Sequence, residues 1–305
     1  VTGSRPASPF DTLRVRGVVL QILLLLGAEG LLFNLASPAR LKASRTAALV
    51  VSLILYATIL AVLAVRGRRA RLDWRAVFGP PLTTDVLPLL GVVVPVALLT
   101  AGAAIAVYVP LSYVAPGFIE GLLRSASSMF DAQTLTEWWV LVLSAVVTAP
   151  IVEELFFRGF LLHRWARRWG TLTGVVASSA LFAVLHGEWV GHFVFGVAMA
   201  ALYLRTRRLW VPIAAHALNN AVVALFSLAD VLRHAPPDTT SLADLRGELP
   251  MGLAALAAGV ALMWWYLRRW WPDGQWRAVL RGATPYDAYA AASAVTGSPD
   301  STSAS

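Results

Sequence analysis

Three short patterns in this 305-residue chain bring together side chains that can move protons. Glu153, Glu154 and Arg158 lie in APIVEELFFRGFLLHRW (149–165), His186 closes FAVLH (182–186), and His216 and Asn220 bound HALNN (216–220). Each sits in a run otherwise apolar enough to cross a bilayer. A charge at the bilayer centre costs roughly 2.5–3.5 kcal/mol on insertion scales, so such residues as a rule face a polar interior and serve a function there. Glu154 and Arg158 are four apart with the acid N-terminal, the favoured order for a pair on one helical face. They are expected to compensate each other as a buried, hydrogen-bonded unit, or simply to fix the bundle. Glu153 points about a hundred degrees away. With no partner on its own helix, it must meet cations from elsewhere or act as a base.

Depth supports convergence. At 1.5 Å per residue, Glu153 is about 22 Å along its helix from Arg168, His186 about 24 Å from Gly170, Asn220 about 18 Å from Arg208, and His216 about 12 Å. Such a set can hydrolyse an amide. Glu153, with or without His186, takes a proton from water as general base. His216 and Asn220 donate hydrogen bonds to the developing oxyanion, worth about 3–4 kcal/mol per donor in the best cases. The same residues can instead hold Zn²⁺ through Glu153, His186 and His216, with an activated water. Neither route needs a serine or cysteine nucleophile, and the chain has no cysteine.

The elements that must carry these residues are membrane helices. The chain is 58% hydrophobic and 14% charged, against about a quarter charged in a soluble domain. Eight apolar runs stand out, at about 17–36, 47–65, 86–113, 138–162, 172–188, 190–204, 210–232 and 251–268. The expectation is an all-α, polytopic membrane helix bundle of about eight transmembrane helices, with the site inside it. Residues 1–14 are expected to be a loose cytoplasmic tail, 15–271 the multi-pass membrane domain, and 272–305 a disordered tail. The first run follows Arg14 and Arg16 as a signal peptide would, but its length and the basic SPARLKASR after it favour a retained helix. Residues 116–130 have the spacing of a surface-lying amphipathic helix, or of an ordinary loop helix. Tryptophans 138, 139, 264, 265, 270 and 271 sit where an aromatic belt belongs.

The net charge of +8 raises the question of nucleic acid, which its distribution answers. Eight spans put both termini on one side, and that side carries eighteen of the 25 basic residues. This is the positive-inside pattern, with both termini cytoplasmic. The partners it implies are the lipid bilayer and no nucleic acid. Of the other polar groups, His163 and His234 fall near span ends and are expected to be solvated. His192 is expected to be structural or lining, and Glu29, inside the first run, has no assignable role.

EELFFR fits an EExxxR motif, FAVLH an FxxxH motif and HALNN an HxxxN motif, in order on successive helices. Together they resemble the CPBP family: CAAX proteases and bacteriocin-processing enzymes, similar to the type II CAAX prenyl endopeptidase. The resemblance covers about 138–230, within a protease-like core of 138–232. It implies an intramembrane endopeptidase acting on a peptide or lipidated protein. Glu153 would be the base with His186 beside it, His216 and Asn220 the oxyanion donors, and Glu154 with Arg158 supporting them. Members are described both as metalloproteases and as metal-independent; a metal-independent reaction is preferred, with Zn²⁺ as the alternative. A bacterial inner membrane is the expected setting. HExxH, GxGD and GxSG are absent, which disfavours zinc site-2-type, aspartyl and rhomboid-type mechanisms. The rival readings are a non-catalytic peptide-binding, immunity or scaffold protein, and a proton-coupled transporter.

Overall fold

A computed structural model describes residues 8–36, 45–85, 87–127, 132–234, 241–270 and 284–287. Apolar runs become helices here because backbone N–H and C=O groups in hydrocarbon must find partners within their own segment. A short α1 (Pro9–Thr12) precedes α2 (Val15–Ala36), α3 (Arg45–Arg69) and α4 (Trp74–Phe78). A 3-10 turn at Leu87–Val92 leads into α5 (Val93–Val114), followed by α6 (Pro116–Ser127). The longest element is α7, continuous over Leu135–Trp169. Next come α8 (Thr171–His186), α9 (Trp189–Thr206), α10 (Trp210–Arg233), α11 (Leu242–Gly247) and α12 (Leu249–Trp270). No strand occurs among the described residues.

Among the described residues, seven helices are long and apolar enough to cross a membrane: Val15–Leu35, Val50–Arg69, Leu87–Val114, Leu135–Trp169, Trp189–Thr206, Trp210–Arg233 and Leu249–Trp270. The chain is a polytopic all-α membrane protein, as expected. The eighth run differs. Helix α8 has 16 residues, about 24 Å of rise, short of a roughly 30 Å hydrocarbon core. It is short because Gly187, at φ +76°, turns the chain immediately after His186. The α8–α9 hairpin therefore has its apex level with Glu153.

Small residues set the closest helix contact. A Cβ on Gly102 of α5 would lie 2.5 Å from the Leu256 backbone nitrogen of α12, the kind of approach that packs helices in lipid. The outward faces of α2 and α12 leave Leu24, Leu32, Leu253 and Trp265 exposed, as lipid contact requires. Helix α6 has the expected amphipathic character, but its apolar face packs on protein. Ile119 is fully buried in a cluster with Tyr108, Val109 and Leu245. Met129 and Phe130, counted in that helix from sequence, lie outside the described residues.

Two described segments within the expected tails pack on the bundle. Ser8 caps α1, and its N–H donates to the Asp11 carboxylate at 2.9 Å. Phe10 is fully buried, edge-on to Phe160 and Tyr286. Within the stretch expected to be a disordered tail, residues 284–287 are also packed on the bundle: Tyr286 is buried and Asp287 pairs with Arg167 at 2.9 Å. Asp11 binds the same guanidinium at 2.6 Å, so both segments meet at one end of the bundle. The rest of the 272–305 expectation lies outside the described residues.

His163 is corrected for the same reason. It was expected to be solvated, yet it is fully buried and stacked on Phe10 at 4.9 Å. The Tyr203 hydroxyl donates to the Val77 carbonyl at 2.7 Å, so its oxygen accepts from His163 Nε2 at 2.9 Å. Position near a span end implied water, but α1 and the 284–287 segment exclude it.

Candidate active site

The site is built around α7, whose hydrogen-bond register is unusual. Val142–Thr148 and Leu155–Leu162 are π-helical, and the ordinary α-turn between them, Ala149–Glu154, carries both glutamates. Single π-turns inside α-helices recur at functional sites. In the π register Ala149 N–H bonds to Ser144 O, so the next carbonyl, Ala145 O, would pair with residue 150. That residue is proline, which has no N–H to give. Asn220 of α10 supplies the missing donor, its Nδ2 lying 2.8 Å from Ala145 O. One amide hydrogen of Asn220 is thus committed to the backbone of α7.

Glu154 and Arg158 form the expected pair, with Nη1 2.9 Å from Oε1 and both side chains almost entirely buried. The guanidinium also donates from Nη2 to Gly196 O at 2.8 Å and lies 5.0 Å over the Phe182 ring, a cation–π contact. Gly196 permits this reach because a Cβ there would lie 2.9 Å from that of Ser179 on α8. His216 Nδ1 stands 2.9 Å from Glu154 Oε1. Since a carboxylate accepts only, Nδ1 carries the hydrogen in this contact.

Glu153 faces three other helices. Its Oε1 accepts from the Tyr56 hydroxyl of α3 at 2.8 Å. Its Oε2 lies 3.5 Å from His186 Nε2 and 3.9 Å from His216 Nε2, beyond hydrogen-bond reach. That buried oxygen has no hydrogen-bond partner. On the far side of His186, Nδ1 is 2.7 Å from Phe182 O, so it too carries a hydrogen. The Phe182 ring packs against His186 at 4.1 Å with the planes tilted by 30°, which gives the phenylalanine of FAVLH a physical role.

The structure therefore joins Glu153, Glu154, Arg158, His186 and His216 in one cluster. Asn220 is joined to it only through the backbone of α7. Sequence reasoning missed Tyr56, for which the only available signal was a lone phenol inside an apolar run. It also left His192 as a structural or lining residue. That ring stacks on His186 at 4.6 Å and 20°, held by Glu188 Oε2 at 3.0 Å from Nδ1. Glu188 also caps α9, accepting from Gly191 N at 2.9 Å and His192 N at 3.1 Å. Glu29, unassigned from sequence, accepts from the Thr58 hydroxyl of α3.

Among the described residues, no group of three or more His, Cys, Asp or Glu side chains has the clustering of a metal centre. Glu153 Oε1 is occupied by Tyr56, and His216 Nδ1 by Glu154. The donors left for an ion are Oε2 of Glu153 and the Nε2 atoms of the two histidines.

Fold and site together define an integral membrane protein with a carboxylate–imidazole cluster inside its helix bundle. Residues 135–222, which contain all three motifs, match the family model described as type II CAAX prenyl endopeptidase Rce1-like. The chain is 28% identical over 114 residues to "Putative membrane peptidase YdiL" of Bacillus subtilis, covering 36% of this chain and 46% of that one. It is 33% identical over 105 residues to "Uncharacterized protein YyaK" of the same organism, covering 29% and 34%. The matches thus span less than half the length of these relatives. No solved structure matches the chain.

Proposed function

We propose that this protein is an intramembrane endopeptidase that cleaves a peptide bond in a membrane-associated or lipid-modified peptide, using a water activated by Glu153 and His186. The observation that carries this reading is the facing of two acceptors. With Nδ1–H given to Phe182 O, a neutral His186 turns the lone pair of Nε2 toward Glu153 Oε2, 3.5 Å away. A water donating one hydrogen to each fits at about 2.8 Å from both. Its oxygen lone pairs then point away, toward a carbonyl carbon.

In the reaction Glu153 takes one proton from that water as the oxygen adds to the carbonyl carbon. The carbonyl π-electrons move onto its oxygen. On collapse the C–N bond breaks, and the amine leaves with the proton that Glu153 held. His216 is held through Nδ1 by Glu154, whose charge Arg158 shares. As an imidazolium it offers Nε2–H to the oxyanion, and the second amide hydrogen of Asn220 completes the donor pair. Counting Glu153, Glu154 and Arg158 as charged, one proton on an imidazole also makes the buried cluster neutral, which burial favours.

The metal-independent form is preferred because Glu153, left without a partner on its own helix by the Glu154–Arg158 pair, suits a base at least as well as a ligand. Zinc in stoichiometric amount, with activity lost on chelation and restored by zinc, would overturn that preference. The setting proposed is a bacterial inner membrane with the arginine-rich end in the cytoplasm.

The test compares wild type with Glu153→Gln in detergent on a quenched peptide library containing prenylated and unmodified members. The glutamine keeps size and loses the base. A folded variant slowed by about 10²–10⁴-fold is expected, the usual contribution of a general base. Equal cleavage by both proteins rules Glu153 out as the base. Peptide binding without cleavage by wild type would mark a binding or scaffold protein.

A further inference from the structure

A concave site lies at the arginine-rich end of the bundle, a cavity of about 770 Å³ between the start of α2, the end of α7 and α8. Its rim carries Arg14, Arg16, Arg164 and Arg168. None of the four makes a hydrogen bond or ion pair with a carboxylate among the described residues. The acid beside them, Asp11, is committed to Arg167 through both oxygens, at 2.7 and 2.6 Å. Arg168 lies 5.5 Å over the Trp169 ring, and that indole stacks on Trp165 at 5.9 Å. Toward the hydrocarbon the walls turn apolar, with Val15, Val19 and Leu181.

We propose that this cavity binds one acidic phospholipid, its phosphate among the four guanidinia and an acyl chain along Val15, Val19 and Leu181. Guanidinia present N–H groups in a fork that fits phosphate oxygens two at a time. Tryptophan belongs at the headgroup boundary, and basic pockets between membrane helices select anionic headgroups. A free phosphate would satisfy the rim and leave the apolar wall without a partner, so the graded lining assigns a lipid. The site is distinct from the carboxylate–imidazole cluster, and the inference stands whether or not that cluster hydrolyses peptides.

The test uses the full chain, stripped of native lipid in a neutral detergent and titrated with phosphatidylglycerol, phosphatidylcholine or inorganic phosphate, with bound lipid counted by native mass spectrometry. Phosphatidylglycerol is expected to bind at least about tenfold more tightly than phosphatidylcholine, as for a site with several guanidinia. R164Q/R168Q is expected to bring that preference below about threefold, and R14Q/R16Q, on the opposite wall, to do the same. R268Q/R269Q removes the same charge at the same end, outside the cavity, and is expected to keep the preference. The proposal is overturned if the two lipids bind alike or if the preference survives both cavity variants. It is equally overturned if R268Q/R269Q loses the preference as well, which means diffuse charge. Displacement of the lipid by equimolar phosphate makes this a free-anion site and also overturns it.

Discussion

Tyr56 fixes which oxygen of Glu153 is free. Its hydroxyl occupies Oε1 and so leaves Oε2 to take the proton of the water. Tyr56→Phe is expected to lower kcat about tenfold, in line with a hydrogen bond to a charged group worth about 1.5–3 kcal/mol. Steady-state kinetics beside a thermal melt checks this; an unchanged kcat sinks the assignment. Arg158 offers a contrast. Arg158→Met strands the buried Glu154 and is expected to cost about 3–5 kcal/mol of stability, whereas replacing both partners with apolar residues restores much of it. Denaturant titrations of the single and double variants read that difference. The Glu154–Arg158 pair was legible in the sequence because i,i+4 spacing is a local rule. The bond from Asn220 to Ala145 was not: it follows from a π register and from Pro150 standing where that register needs an N–H. Tyr56 was hidden for another reason, since nothing in α3 records that it faces α7.

At the level of elements, the α8–α9 hairpin does the positioning. Gly187 ends α8 directly after His186, Glu188 starts α9, and Gly196 lets α9 approach α8 closely enough for Arg158 to reach a main-chain carbonyl. Gly196→Val is expected to cost about 1–3 kcal/mol through overpacking and to lower kcat as His186 moves off Glu153. The outcome that counts against this is a lowered melting temperature with kcat intact. All eight apolar runs were readable as helices, because hydropathy over about twenty residues is a strong signal. What was not readable is that 172–188 is cut short at the depth of the site, since hydropathy reports solvent and not the vertical extent of a turn.

For the molecule as a whole, the sequence implied loose segments before and after the helices, and the structure brings residues 8–12 and 284–287 onto Arg167. Low hydropathy around Phe10 and Tyr286 concealed two aromatic rings that pack on His163, a contact between residues far apart in the chain. The hydrogen bond from Arg167 holds the Asp11 carboxyl below its usual range. Such a group contributes stability above the ordinary carboxylate pKa and loses it as pH falls through its own. The melting-temperature difference between wild type and Asp11→Asn is therefore expected to be flat from pH 8 to 5 and to shrink below about pH 4. A constant gap down to pH 3 would mean Asp11 contributes through packing. One guanidinium thus clamps the 8–12 and 284–287 segments together, so the two share a fate: whatever pulls Arg167 away loosens both at once, and protease access to one should rise in step with access to the other.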